Sequence, residues 1–320
     1  MAEKILVLGS SNVDLIFRVP RLPRAGETVR GENLVTAFGG KGANQAMAAK
    51  RLGGEVRFLT KLGNDFFGHS YRRYLVQNGL ESRWLLRDKK LPNGTALIEL
   101  IPGGENRIIV SPGANGALSV GDLKKLSAIW RGVKVFVTQL ETPLPTVNAA
   151  LRTARKGEAI TLLNPSPFRR LPPEILPLVD FLVPNEGEAQ SMAGIRMKRK
   201  SDLRRIADRL LSLGIKNVAI TLGPRGLYFR NRNEEICMEA FPVKAVDTTA
   251  AGDAFMGALA CGLAEGKSIR EVLRLASAAG ALAASKLGAQ PSLPLRRELE
   301  DFLRKRERLP RQGGRNGEYS

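Results

Sequence analysis

Apolar residues recur along most of the chain in two alternating rhythms. Short continuous runs at Ile5–Leu8, Val56–Thr60, Val133–Thr138, Ala159–Leu163, Phe181–Val183 and Val218–Leu222 predict strands, several buried on both faces as in a parallel sheet. Segments of helical pattern lie between them, at Asn44–Leu52, Phe66–Asn78, Pro145–Lys156 and Leu203–Leu213. Each is followed by a glycine (Gly53, Gly79, Gly157, Gly214), the residue that enters left-handed backbone without steric penalty and so ends a helix. Beyond residue 250 the pattern is helical, over Asp253–Ala264, Ile269–Lys286 and Leu295–Arg308. Such alternation predicts an α/β fold, a mostly parallel central sheet covered by helices on both faces.

Two segments, about 14–38 and 95–110, break the rhythm with short β-rich patches between Pro and Gly turns: Pro20, Pro23, Gly26 and Gly31 in the first, Pro102-Gly-Gly104 in the second. They are too short for a domain and predict a small antiparallel β lid over one edge of the sheet. One domain is therefore expected over residues 1–308, with the lid inserted in it. Residues 309–320, rich in Gly, Arg and polar residues, read as a disordered basic tail.

Composition narrows the classes. The chain has 320 residues, 43% of them hydrophobic and 25% charged, ordinary for a protein with a sizeable core. No apolar run approaches the 18 or more residues that cross a bilayer, and Met1–Gly9 reads as a buried strand rather than a signal peptide. Two cysteines, Cys237 and Cys261, and a single histidine, His69, make neither a disulfide framework nor a Cys/His zinc site. Both cysteines are expected as buried packing residues in a reducing cytoplasm. The formal net charge of +19 stands out, with basic runs at 196–200 and 304–315. It favours polyanions in general, but no aromatic residue interleaves with those runs as single-strand binding would require. A solvated basic surface is the expectation, not a specific nucleic-acid partner.

The strongest chemical signal is Val246-Asp-Thr-Thr-Ala-Ala-Gly-Asp-Ala-Phe-Met-Gly257. Small residues lead straight into a helix, whose free N–H groups and macrodipole make an anion site. Ala250, Ala251 and Gly252 let a phosphate reach the backbone, where fixed donors stabilise the charge that builds on a transferring phosphoryl group. Asp253, expected to be ionised beside that helix start, can accept the proton of an attacking hydroxyl. The plainer alternative is a capping aspartate on a packing helix, which a lone Gly-Asp would deserve and this string does not. A second signal is Phe38-Gly-Gly-Lys-Gly-Ala-Asn-Gln-Ala46. It is no P-loop, since Val35 stands where glycine should and Gly42 where Ser or Thr should hold magnesium. Gln45 likewise excludes a dinucleotide fingerprint. What remains is a flexible turn before an alanine-rich helix, or glycines that admit a small ligand with Lys41 and Asn44 on one side of the opening turn. Third, Gly9-Ser-Ser-Asn-Val-Asp14 leaves the first strand at its carboxyl end, where open α/β sheets place ligands. Asn12 and Asp14 are spaced to point the same way and suit vicinal hydroxyls, though a capped turn would look the same.

Together these stretches resemble the ribokinase members of the PfkB carbohydrate kinases, over nearly the whole chain. The likeness continues through Gln139-Leu-Glu-Thr142, Leu163-Asn-Pro-Ser-Pro167, Pro184-Asn-Glu-Gly-Glu188, Thr221-Leu-Gly-Pro-Arg-Gly226 and Gly288-Ala-Gln-Pro-Ser292. The resemblance implies a three-layer α/β/α sandwich that moves the γ-phosphate of ATP to the 5-hydroxyl of D-ribose. Asn12, Asp14, Gly40, Lys41, Asn44 and Glu141 would hydrogen-bond the sugar, Asp253 would be the base, and Ala250, Ala251 and Gly252 the anion hole. Asn185 and Glu188 would organise phosphate and Mg²⁺ through water, and Thr221, Gly223 and Gly226 would line the nucleotide site. A monovalent cation (K⁺) would be held by Asp247 and by mostly main-chain oxygens near Thr249, Ala283, Lys286, Gly288 and Ser292. The lid would also join two copies in a homodimer. No part in catalysis is implied for His69. Two rivals stay open: a kinase of the same family for deoxyribose, another sugar or a nucleoside, and a nucleic-acid-binding protein on a kinase fold, which the basic charge alone favours.

Overall fold

The computed structural model describes residues 4–101 and 106–308. The chain opens with β1 (Lys4–Leu8), β2 (Asn12–Arg18), β3 (Glu32–Gly39), α1 (Lys41–Arg51), β4 (Glu55–Leu62) and α2 (Phe66–Gln77). It continues with β5 (Leu85–Arg87), β6 (Gly94–Leu100), β7 (Asn106–Ser111), α3 (Val120–Lys125), β8 (Val133–Thr138), α4 (Leu144–Lys156) and β9 (Ile160–Leu163). Then come β10 (Phe181–Leu182), α5 (Glu186–Ala193), α6 (Asp202–Ser212), β11 (Asn217–Thr221), β12 (Leu227–Asn231) and β13 (Glu235–Met238). Three helices close it: α7 (Ala251–Ala264), α8 (Ile269–Ala284) and α9 (Arg296–Arg308).

The main sheet has nine strands in the order β13-β12-β11-β10-β9-β8-β1-β4-β5. It is parallel from β11 to β5, and the β12–β13 hairpin adds an antiparallel edge. β1 shows why the sheet must be covered twice. Ile5 and Val7 pack in one apolar cluster with Met47 of α1, Leu259 of α7 and Leu273 of α8. Leu6 and Leu8 pack in the other, with Val147 and Leu151 of α4 and Ile206 of α6. Continuous burial of all four residues is the physical meaning of their unbroken apolar run.

The lid is a separate sheet, β3-β2-β6-β7, with a parallel pair β2/β6 at its centre and antiparallel pairs on either side. The Pro102-Gly-Gly104 turn and the tail at 309–320 lie outside the described residues.

Two sequence expectations change. Gly53, Gly79 and Gly214 have φ of 88°, 81° and 98° after their helices, as expected, but Gly157 has φ −90° and the left-handed residue is Glu158, at 59°. Cys261 is buried but Cys237, on the edge strand β13, is exposed, because the helix layer that buries its cross-strand neighbour Tyr228 stops short of the edge. Among the described residues no helix is long and apolar enough to cross a membrane.

Candidate active site

Tight backbone contact places the head of α1 against the end of β1. A Cβ on Gly42 would lie 2.5 Å from Gly9 C and Ser10 N, and one on Gly40, which has φ 88°, would lie 2.6 Å from Asn12 N. Only glycine fits at either position. Lys41 N and Ser10 Oγ both donate to Glu141 Oε2, the former at 3.0 Å, so the loop after β8 is fastened to the start of the helix. Gly39 O accepts from Tyr71 Oη at 2.6 Å, and Tyr71 in turn accepts from Gln290 Nε2 at 2.7 Å.

Asn12 and Asp14 leave the sheet on β2. Asn12 Oδ1 accepts from Asn115 Nδ2 at 2.7 Å, which leaves its own NH₂ as the free donor. The Asp14 carboxylate lies over Gly39, where a Cβ would come within 2.1 Å of Oδ2. Burial raises the Asp14 pKa to about 7, and the carboxylates of Glu141 and Asp253 add to the push.

Asp253 is the third residue of α7 and is 5% exposed. Its Oδ2 accepts from Asn44 Nδ2 and its Oδ1 from Gln45 Nε2, each at 2.9 Å. The sequence calls for an ionised base. Burial works against that and raises its pKa, while the Lys41 ammonium and the two amide donors favour the ionised form. For Lys41, burial alone would lower the pKa, but Asp253, Glu141 and Glu188 outweigh it and hold the ammonium above its ordinary value.

The head of α7 presents main-chain N–H groups to a cleft. Ala251 N is committed to Thr248 O at 3.2 Å, and Ala254 N makes the first helical bond, to Ala250 O, at 2.9 Å. The N–H groups of Gly252 and Asp253 meet no main-chain acceptor among the described residues. Of the expected anion hole, then, Gly252 has its donor free, and Ala251 supplies slimness rather than an amide. A cleft of about 110 Å³ joins this helix tip to Lys41, Asn164, Asn185, Glu188, Thr221 and Thr249. Asn185 and Glu188 form a reciprocal cap on α5: Asn185 N donates to Glu188 Oε2 at 2.9 Å, and Glu188 N to Asn185 Oδ1 at 2.8 Å. Asn185 also bridges to Thr221 at the end of β11. Gly223 and Gly226 turn the chain into β12, both at positive φ, and Gly226 closes against Met238 O.

Of the residues expected to hold a monovalent cation, Asp247, Thr249 and Gly288 are joined directly. Asp247 Oδ1 accepts from Thr249 N and Oδ2 from Gly288 N, each at 2.9 Å. Burial would raise the Asp247 pKa, but these bonds and that from the Thr249 hydroxyl hold it below the ordinary value. Ala284 O accepts from Val246 N and Asp247 N, and Ser292 Oγ donates to Ala289 O at 2.7 Å. Lys286 points its ammonium at Glu298 instead, 2.7 Å away, so only its main chain could serve. The oxygen-rich set fits a hard monovalent cation. Among the described residues no group of three or more His, Cys, Asp or Glu stands ready to cage a metal.

The model of the pfkB family of carbohydrate kinases matches residues 2–296. The chain belongs to that family. The kinase is 37% identical over 303 residues to the ribokinase of Haemophilus influenzae, covering 95% of this chain and 99% of the relative. It is 33% identical to a deoxyribokinase of Salmonella typhi, over 93% of this chain and 98% of that one. The structure of Arabidopsis thaliana ribokinase complexed with ribose and ATP matches with a TM-score of 0.88 at 32% identity, covering 95% of the kinase and 99% of that chain.

The structure gathers Lys41, Asn44, Glu141 and Asp253 around one point. It also brings in residues that motif reading passed over: Ser10, Gln45, Asn115, Gln139 and Asn164. Gln139 lies within Gln139–Thr142 and Gln45 within Phe38–Ala46, but neither carries a charge that marks it for a role. The basic run 196–200 is the loop that caps α6, with Lys198 N and Arg199 N donating to Asp202 Oδ2.

Proposed function

We propose that this kinase phosphorylates D-ribose at the 5-hydroxyl with ATP, giving ribose 5-phosphate and ADP. The observation that carries the reading is that Asp253, Gly252 and Lys41 line one cleft, with a base and phosphate donors less than one helical turn apart. Each Asp253 oxygen accepts one amide hydrogen bond and keeps a lone pair for a hydroxyl. The sugar sits over Gly39–Gly40, bonded by Asn12, Asp14, Lys41, Asn44 and Glu141. Asn44 Oδ1 is buried without a protein partner, and a sugar hydroxyl would supply its donor. The 5-hydroxyl oxygen attacks the γ-phosphorus, its proton passes to Asp253, and the bond to the ADP oxygen breaks. The N–H groups of Gly252 and Asp253 and the α7 dipole meet the charge that develops.

Asn185, Glu188 and Thr221 hold the triphosphate side, where Mg²⁺ would neutralise phosphate charge. Asp247 and the carbonyls near Thr249, Ala283, Lys286, Gly288 and Ser292 would hold K⁺, which would steady the loop leading into α7. A homodimer through the lid is supported by exposed apolar side chains on both of its edge strands, Leu34 and Val35 on β3 and Ile108, Ile109 and Val110 on β7.

A second reading, a deoxyribose kinase, is favoured by the deoxyribokinase relative. Turnover with ATP on ribose, 2-deoxyribose, fructose and adenosine, with and without K⁺, separates the two. Ribose is expected to give the highest kcat/KM. A higher value for 2-deoxyribose or adenosine would overturn the ribose assignment.

A further inference from the structure

The amides behind Asp253 form a chain with only one workable direction. An ionised carboxylate only accepts, so Asn44 and Gln45 must both turn their NH₂ groups toward it. The Gln45 carbonyl then needs a donor, and Gln139 Nε2 supplies one at 2.6 Å. Gln45 Nε2 also reaches Asn164 Oδ1 at 3.3 Å. The chain ends at Gln139 Oε1, which is buried without a partner. Gln45 and Gln139 are both fully buried, and a Cβ on Gly9 would lie 2.0 Å from Gln139 Oε1. The end of β1 is therefore cut away to seat an amide that touches neither the cleft nor the solvent. Turning either glutamine over would set oxygen against oxygen.

We infer that Gln45 and Gln139 are positioning residues for the transfer step: Gln139 orients the Gln45 amide, which with Asn44 fixes the plane of the Asp253 carboxylate toward the acceptor hydroxyl. The inference rests on Asp253 being the base. The charged groups that face Asp253 are Lys41 on α1, Glu141 after β8 and Asp14 on β2. Two acids against one base do not by themselves keep a buried carboxylate ionised. The amide donors work against that burial in favour of the ionised form and, unlike a charge, also set its orientation.

The test compares Gln45→Leu, Gln139→Leu and the double variant with the wild type, in kcat, KM and the pH profile of kcat, using ribose and ATP. Gln45→Leu should lower kcat by about 10- to 100-fold, the loss expected for one hydrogen bond to a charged group. KM for ATP should hold, and the acid limb of the profile should move to higher pH, since a donor to the ionised form is gone. Gln139→Leu should lose about 3- to 10-fold, and the double variant no more than Gln45→Leu alone, because the two act in series. A purely structural role would lower activity without moving the acid limb. A folded Gln45→Leu enzyme with wild-type kcat and an unmoved limb overturns the inference, and so does a double variant that loses the product of the single losses. Should Gln45→Leu fail to fold, Gln45→Met, equally long and more adaptable, is read the same way. Asp253→Asn separates the two levels: if it keeps wild-type kcat the base assignment itself fails, whereas an inactive Asp253→Asn beside a normal Gln45→Leu removes only the positioning role.

Discussion

At the head of α1 the backbone is packed until no atom can be added, whereas at the head of α7 it is bare. Cβ atoms on Gly40 and Gly42 would fall 2.6 and 2.5 Å from main-chain atoms, but one on Gly252 would meet nothing within 4 Å. The same residue type serves opposite ends. In α1, glycine lets the protein touch itself, so the groups proposed to meet the sugar arrive with their hydrogen bonds already made: Lys41 N to Glu141, and Asn44 and Gln45 to Asp253. In α7, glycine keeps a surface open at unpaired N–H groups, which is what an incoming phosphate needs. One end is preorganised by the fold, and the other is left for the ligand to complete.

Asp253 joins the two ends, so the largest effect is expected there. Asp253→Asn keeps the shape and removes the proposed proton acceptor, and kcat should fall by roughly 10²–10⁴. The melting temperature and KM for ATP should change little. A variant with unaltered kcat would mean that the convergence on this carboxylate serves packing alone.

Next in size is Gly42→Ala. The methyl group would press on the main chain of Gly9 and Ser10, which cannot yield as a side-chain tip can. Overpacking of this kind costs about 1–3 kcal/mol. Urea denaturation should show the loss as a lower midpoint at unchanged slope. An unshifted midpoint would show that the head of α1 can give way, and the contrast with α7 would lose its meaning.

Much of this was legible in the chain because burial on both faces writes itself as an unbroken apolar run. β8 is bounded as the sequence predicts, at Val133–Thr138, and β1 within one residue. The β12–β13 hairpin is hard to read in sequence because its apolar runs, Leu227–Phe229 and Ile236–Met238, are only three residues long and are bordered by charged residues such as Arg230 and Glu235. In sequence the Asn185–Glu188 pair resembles a phosphate element, and its local role as the cap of the short helix α5 appears only in the structure. In the site, charged and glycine-flanked residues announced themselves, and Lys41, Asn44 and Asp253 do meet. Gln45 and Gln139 did not, because 94 residues separate the two amides and only the approach of α1 to the exit of β8 makes them a pair. The environment of Asp253 was hidden for the same reason: its burial, which opposes ionisation, is a property of packing, whereas the helix start beside it is written in sequence.

The smallest structural effect, and the one that sharpens the contrast most, belongs to Gly252→Ala. Gly252 lies in the first turn of α7, where alanine is the better helix former by up to about 1 kcal/mol. Its Cβ would project into open space. The free enzyme should therefore melt at the same temperature as the wild type or slightly above it. The methyl group would stand beside the unpaired amides, so KM for ATP should rise several-fold while KM for the sugar holds. Thermal melting and initial-rate kinetics on one preparation read both effects. Stability gained with nucleotide affinity lost would mean that the space at this helix tip is kept for phosphate, against the preference of the helix itself. If affinity stayed unchanged, the phosphate would have to be sought away from Gly252, and the bare end of the cleft would be a feature of the fold with no part in the chemistry.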